Sequence, residues 1–265
     1  MGTLLKKHKN KVGTYKFNFT SNYARNLILS EFAEFSKQLS RKKILRIAIV
    51  GGNENEPEVK LLECFDFRMQ VKVFGIENGF FLDLNDSKFE YKSEFDLVLC
   101  SQVLEHTWNH SLVLDNLIHL SRPGGFIWIG CPASNFPHGS PHYFTAGLTA
   151  DYIRNLVISK NVNFLSCGNL GSKRLYRSVH VLRSWPTVRS YFFPIFFLFE
   201  ERQHHKIKEI LLRLKHFPDL ILLQLTSSKV IGDAAFATET WTLLKKPNSS
   251  LRYNNSNNSS FNFSK

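Results

Sequence analysis

The stretch FDLVLCSQVLEH, residues 95–106, decides the fold class of this 265-residue chain. Its first half is a short, almost continuous apolar run, which is typical of a strand buried on both faces of a parallel sheet. Polar residues begin where the run ends, at Ser101 and Gln102. In an open α/β sheet, ligands bind beyond the carboxyl ends of the strands. The stretch therefore predicts a central strand and one wall of a binding site.

Similar apolar runs lie on both sides of this stretch. They predict further strands, which lie at 44–50, 71–77, 125–131, 163–167 and 236–244. Helical spacing of apolar residues predicts helices at 24–39, at 111–120 and after Thr149, and Pro57 begins a short helix. Strands that alternate with helices predict an α/β fold with a parallel sheet and right-handed crossovers. The segment RPGG at 122–125 predicts a helix stop followed by a tight turn.

The residues that end the first two strands predict the rest of the site. Gly51 and Gly52 follow the first strand, where glycine lets the backbone approach a ligand and the next helix offers free N–H groups. Glu77 ends the second strand, and a carboxylate at that point accepts hydrogen bonds from both hydroxyls of a ribose. Two glycines also fit an ordinary β–α turn, and one glutamate also fits a plain surface acid.

The stretch at 95–106, followed by RPGGFIWI at 122–129, resembles the class I S-adenosylmethionine-dependent methyltransferases, especially their ubiquinone-biosynthesis-like branch. The resemblance covers about residues 44–170. It implies a Rossmann-like three-layer α/β sandwich with a seven-stranded, mostly parallel sheet, in which 236–244 supplies an antiparallel last strand. It also implies S-adenosyl-L-methionine as the cofactor.

The resemblance further implies a role for particular residues. Gly51 and Gly52 are expected to lie against the methionine part of the cofactor, and Glu77 is expected to hold the ribose. Asp83 and Leu84 are expected beside the adenine, and Gln102 and Val103 are expected to flank the cofactor. His106 is expected near the acceptor.

Several positions depart from the family's pattern. Ile49 stands where an acid usually precedes the glycines, and Asn53 and Asn55 stand where further glycines are expected. The short path from Glu77 to Asp83 leaves no room for the usual helix, and it resembles methyltransferases associated with cell-surface glycan clusters. The expected activity is O-methylation of a small molecule, a sugar or a lipid-linked glycan. The alternative is a degenerate methyltransferase fold that serves as a binding or scaffold protein without catalysis.

Two other enzyme classes are disfavoured. A nicotinamide-dependent oxidoreductase also uses a glycine-rich turn and an acid after the second strand, but Gly-x-Gly-x-x-Gly is absent. The net charge of +12 suits an anionic partner such as nucleic acid. However, no Asn/Asp-Pro-Pro-Tyr-type motif for base amines occurs, so nucleic acid is not the expected partner.

Histidines near the strand ends are the candidates for a catalytic base. Methyl transfer from a sulfonium to a hydroxyl requires alignment and removal of one proton, and the pKa of histidine lies near neutrality. His106 and His142 are predicted as catalytic residues, with a loop-bracing hydrogen bond as the structural alternative for each. His106 and His110 have the spacing of metal ligands on one helical face. No third ligand stands out, so no metal site is predicted.

Three segments accompany the methyltransferase-like domain predicted at 44–246. Residues 1–43 form a basic arm and a helix, which fits either an anionic surface or a solvated terminus. An aromatic, basic helical insertion at about 173–225 fits a lid, a dimer surface, an interfacial membrane contact or an added subdomain. The Asn/Ser-rich tail at 247–265 is predicted to be disordered.

The spacing of the cysteines indicates whether the protein works in a reducing or an oxidising compartment. The four cysteines are scattered and form no CxxC pair, and no secretory signal is visible. This pattern favours a reduced, cytoplasmic protein, with a membrane-peripheral position as the alternative.

Overall fold

The structure is a computed structural model of the chain. The residues it describes are 23–40, 44–75, 80–81, 83–86, 91, 93–135, 138, 142–171, 173, 175–176, 180 and 234–248. Glu77, most of the predicted insertion, residues 1–22 of the basic arm and nearly all of the predicted tail lie outside them. No helix in the described part of the chain is long and apolar enough to span a bilayer.

A single mixed sheet forms the centre of the fold. Its strands are β1 (Leu45–Val50), β2 (Met69–Gly75), β3 (Phe80–Phe81), β4 (Phe95–Ser101), β5 (Ser121–Pro132), β6 (Asn163–Leu170) and β7 (Glu239–Lys245). The strand order is β3-β2-β1-β4-β5-β7-β6. The pairs from β3 to β5 are parallel, and β7 runs antiparallel to both β5 and β6. The predicted Rossmann-like α/β class is confirmed, with six full-length strands and a two-residue β3 at one edge.

Four α-helices with defined bounds in the described part of the chain connect or cover these strands. They are α1 (Tyr23–Ser36), α2 (Pro57–Cys64), α3 (His110–Leu120) and α4 (Ala150–Ile158). Local signals explain where three of them begin. Pro57 occupies the first turn of α2, while the side chains of Asn109 and Thr149 accept hydrogen bonds from the first backbone N–H groups of α3 and α4.

The sheet separates two apolar layers. On one face α1 and α2 pack on the sheet, and α1 inserts Phe32 and Phe35 against Trp128 of β5. On the other face α3 and α4 cover an aliphatic layer that includes Val98 and Ile129. Because β1, β4 and β5 are covered on both faces, their central residues at 47–50, 97–100 and 126–129 are apolar, as parallel central strands require.

Two local predictions are wrong. The helix stop predicted at 122–125 is confirmed, since α3 ends at Leu120, but no tight turn follows it, because β5 already begins at Ser121. The ladder between β4 and β5 is irregular there, and Gly124 has a positive φ of 74°, so the glycines accommodate a bulge within the strand. The last strand begins at Glu239 rather than Phe236, because Ala234–Phe236 form a short 3-10 helix.

Candidate functional site

A cavity of about 330 Å3 opens at the carboxyl ends of β1, β2 and β4. The order of the sheet explains its position, since the chain leaves β1 towards β2 on one side while β4 pairs on the other. Such a switch point leaves a crevice between the loops that follow the strands. The cavity is lined by the ends of β1 and β2 and by residues that follow β1, β3, β4 and β5: Val50, Gly51, Gly52, Gly75, Asp83, Leu84, Asn85, Gln102, Val103, His106, Thr107, Trp108 and His142.

The lining includes every predicted site residue that the structure describes. These residues are Gly51, Gly52, Asp83, Leu84, Gln102, Val103, His106 and His142. Glu77, the predicted ribose ligand, lies outside the described residues, and Gly75 of β2 lines the cavity two positions before it. The structure thus brings together predicted residues from four segments of the chain, which follow β1, β3, β4 and β5. Their individual roles stay predictions.

Gly51 makes the turn out of β1. Its φ is 74°, in the left-handed region that glycine adopts without steric cost, and its N–H donates to the carbonyl of Phe74 at 2.7 Å. A Cβ added at Gly51 would lie 2.6 Å from Cγ2 of Val103. The absence of a side chain therefore allows the loops after β1 and β4 to approach each other beneath the cavity.

Gln102 makes the corresponding turn out of β4. It is one of two non-glycine residues with a positive φ in the described part of the chain, at 58°. Its side-chain Nε2 donates to the carboxyl of Glu239 at 2.9 Å, and its backbone N–H donates to the carbonyl of Gly130 at 2.6 Å. Burial raises the pKa of Glu239 to about 8, so this carboxyl group is protonated at neutral pH.

The turn at 83–86 is fixed by two asparagines that sequence reasoning did not select. The side-chain oxygen of Asn85 accepts hydrogen bonds from the backbone N–H groups of Trp108 and Asn109, at 3.2 and 3.3 Å. Asn116 of α3 donates to the carbonyl of Leu84 at 3.0 Å. The predicted site residues were identified by their position just after a strand. That signal does not reveal contacts between segments that lie this far apart in the chain.

His106 and His142 lie side by side at the cavity. Nδ1 of His106 donates to the backbone carbonyl of His142, so the neutral ring carries its lone pair on Nε2. Burial lowers the pKa of His106, which keeps the ring neutral near pH 7. His110 is engaged elsewhere, because its two nitrogens contact the hydroxyl of Tyr152 and the carbonyl of Leu104, each at 3.1 Å. The spacing of His106 and His110 therefore does not bring them to one site.

An aromatic pair projects beside the cavity. Trp108 lines it, and the side chain of Phe144 contacts Trp108 edge to face with ring centroids 5.2 Å apart. Both side chains are largely exposed, at 62% and 47%. They offer an apolar platform to a molecule that reaches the histidine side of the cavity.

Comparison with solved structures places this architecture. The cyclase SpnF is 10% identical over 89% of this chain and 87% of its own, with a TM-score of 0.51. A protein from Galdieria sulphuraria, named for sarcosine dimethylglycine methylation, is 12% identical over 90% and 92%, with a TM-score of 0.52. Phosphoethanolamine N-methyltransferase 2 of Haemonchus contortus, in complex with S-adenosyl-L-methionine, is 12% identical over 83% and 52%, with a TM-score of 0.51.

No family model matches the sequence, and no curated protein matches it. At 10–12% identity the structural matches show a shared fold alone, and two of the three proteins are named methyltransferases. One of the three proteins is named a cyclase, so the fold by itself does not define the reaction. The function must be argued from the site.

Proposed function

We propose that this protein is an S-adenosylmethionine-dependent methyltransferase that methylates a hydroxyl group of a small molecule, a sugar or a lipid-linked glycan. The observation that supports this function is the cavity at the switch point of the sheet. The described residues that the sequence predicts to bind a nucleoside-bearing methyl donor line this one cavity. The protein of similar fold from Haemonchus contortus binds this donor.

The dimensions and lining of the cavity fit the donor. Its volume of about 330 Å3 lies at the lower end of the range of roughly 300–1,000 Å3 for small-molecule pockets. Gly51 and Gly52 present bare backbone on one side, while Leu84 and Val103 provide apolar walls for a planar base. Gly75 at the end of β2 lines the cavity, and it precedes the predicted ribose ligand Glu77 by two positions in the sequence.

The histidine side of the cavity suits the acceptor. The donor supplies a methyl group already activated by a positively charged sulfur, so the protein has to align the acceptor and handle its proton. A hydroxyl oxygen that attacks the methyl carbon forms a C–O bond as the C–S bond breaks, and one proton leaves. The Nε2 lone pair of His106 can accept that proton, and the adjoining His142 is exposed to solvent.

A non-catalytic scaffold with the same fold is the second candidate. Asn53 and Asn55 replace glycines after β1, and the side chain of Asn53 accepts a hydrogen bond from the backbone N–H of Asn55 at 2.8 Å. This local turn occupies the segment in which glycines would leave more backbone exposed to a ligand. A scaffold of this kind would not bind the donor.

Calorimetric titration with S-adenosylhomocysteine separates the two candidates. We expect one molecule to bind per chain, and Glu77→Ala to weaken binding by roughly tenfold, the effect of one lost charge-assisted hydrogen bond. Glu63→Ala is the matched control, because Glu63 is an exposed acid of α2 that does not line the cavity. Absence of binding by the wild-type chain contradicts the enzyme and supports the scaffold.

A further inference from the structure

The carboxyl group of Glu105 lies in the interior next to the cavity without a hydrogen-bond partner. Glu105 is 0% exposed, and neither of its carboxyl oxygens has a partner among the residues that the structure describes. Buried polar groups are almost always hydrogen-bonded, because an unsatisfied one loses its interaction with water without replacement. A buried carboxyl group of this kind points to a ligand that it binds.

The neighbouring His106 presents an unshared nitrogen to the same place. Its Nδ1 is taken by the carbonyl of His142, and its Nε2 lies 3.9 Å from Oε1 of Glu105. A histidine that donates one ring N–H to a backbone carbonyl has the arrangement found in metal-binding histidines. There the carbonyl sets the tautomer and orients the free nitrogen.

His138 completes the group from a different loop. Its ring centroid lies 5.1 Å from that of His106 and 5.0 Å from that of Tyr143. One ligand atom each of Glu105, His106 and His138 lies within 4.8 Å of the others. The 3-10 turn that contains Glu105 and His106 and the loop after β5 that contains His138 therefore converge on one point.

We propose that Glu105, His106 and His138 form a binding site for a divalent transition-metal ion of the zinc class. One carboxylate and two imidazoles are the donors found in open, catalytic zinc sites, which leave a position for water or substrate. Because His106 also lines the cavity, the ion would be bound next to the space proposed for the acceptor. The site differs from the pair with metal-ligand spacing in the sequence, since His110 has other partners.

The three ligands must move slightly when the ion binds. Bonds of about 2.0–2.2 Å place neighbouring ligand atoms roughly 3.3 Å apart around a tetrahedral ion. The distance of 3.9 Å between Oε1 of Glu105 and Nε2 of His106 has to shorten slightly. A distance at the upper limit of 4.8 Å among the three ligand atoms has to shorten more. His138 is partly exposed, and movement of its side chain would supply that adjustment.

A bound ion would narrow the class of acceptor for the proposed function, and this part of the inference rests on that function. The ion would supply positive charge next to an acceptor hydroxyl and would thereby favour loss of its proton. The proton would pass to the exposed imidazole of His142 or to water, since the Nε2 lone pair of His106 would be used for the ion. The C–O bond to the methyl carbon would form as the C–S bond breaks, and the sulfur would keep the electron pair. The acceptor class narrows to molecules that present an ionisable hydroxyl to a metal.

Titration of the chelator-treated full chain with Co2+ tests the site directly. We expect one ion per chain and a visible absorption band, which is displaced by Zn2+. His138→Gln and Glu105→Gln should each weaken binding by at least roughly tenfold, the lower limit for loss of a metal-site partner. His110→Gln is the matched control, because it removes a nearby histidine that is not a ligand, and its affinity should equal that of the wild type.

The outcomes separate this site from the proposed function. Loss of Co2+ binding in His138→Gln supports the site even if Glu105→Gln fails to fold. No stoichiometric binding, or binding that both variants retain, overturns it. Binding of S-adenosylhomocysteine is measured on the same metal-free protein. If S-adenosylhomocysteine binds and Co2+ does not, the metal site alone is rejected. If Co2+ binds and S-adenosylhomocysteine does not, the proposed methyltransferase function alone is rejected.

Discussion

The ends of β1 and β4 perform the same task by different means. Both strands leave the sheet through a residue in the left-handed region, Gly51 at 74° and Gln102 at 58°. Glycine adopts this conformation without penalty, whereas a residue with a Cβ loses about 1–2 kcal/mol. The turn after β1 is therefore favoured by its own sequence, and the turn after β4 must be held by the rest of the molecule.

Two buried carboxyl groups hold the end of β4. Glu58 of α2 accepts a hydrogen bond from the hydroxyl of Ser101 at 2.8 Å and pairs with Arg25 of α1 at 2.9 Å. Glu239 of β7 accepts from Gln102 at 2.9 Å. The first carboxylate is balanced by a cation, while burial keeps the second protonated. The turn after β1 is therefore determined by its local sequence, whereas the turn after β4 depends on contacts with distant segments of the chain.

Removing the cation should have the largest effect. Arg25→Met leaves the carboxylate of Glu58, which is 1% exposed, buried without its partner. Loss of one member of a buried ion pair costs about 3–5 kcal/mol, so we expect a fall of that size in the free energy of unfolding measured with urea. Lys37→Met is the control, because Lys37 and Glu34 form an exposed pair that contributes little. Equal effects of the two substitutions would show that Glu58 does not depend on Arg25.

A side chain at the turn after β1 should have an intermediate effect. Gly51→Ala forces a Cβ into the left-handed region and against Val103, so we expect the protein to lose about 1–3 kcal/mol of stability and most of its affinity for S-adenosylhomocysteine. In Gly52→Ala the new Cβ meets the mobile carboxyl end of Glu56, which can move aside. Calorimetry should therefore show much weaker binding for the first variant than for the second. Wild-type affinity in both variants would place the donor away from this turn.

The charge state of Glu239 should have the smallest effect, seen in the pH dependence of stability. Its pKa is raised from 4.5 to about 8 in the folded protein, mainly by burial, with a further rise from Glu105 and opposing effects of Gln102 and Arg25. The folded state therefore binds more protons than the unfolded state between these values. The free energy of unfolding should fall as the pH rises from about 5 to 8.

Glu239→Gln tests this dependence because glutamine keeps the shape of the group without ionising. We expect the melting temperature of the variant, followed by circular dichroism in the presence of chelator, to fall less between pH 5 and 8 than that of the wild type. Some slope should remain, since burial also raises the pKa of Glu105, to about 7. Glu34→Gln removes an exposed carboxylate and should keep the wild-type slope. An unchanged slope in Glu239→Gln would indicate that Glu239 is ionised in the folded protein.

Prediction from the sequence succeeded where a signal is local. The strand predicted at 95–101 is β4, and the cavity is lined by the residues that follow β1 and β4. β3 was missed, because two residues carry no periodicity that identifies a strand. The buried partners of the site were missed for a different reason. Nothing near Glu58 or Glu239 in the sequence indicates that a glutamate there faces the interior.

Hydrophobic periodicity and turn chemistry in the sequence determined the α/β fold with its parallel strands, the open turn at Gly51 and the edge at which a ligand would bind. These features depend on neighbours within a few positions, so the order of residues specifies them directly. Only the tertiary structure decided that Glu239 supports Gln102 and that Glu105, His106 and His138 converge. Such contacts join segments tens of residues or more apart, and they form only when the sheet brings its strand ends to one edge.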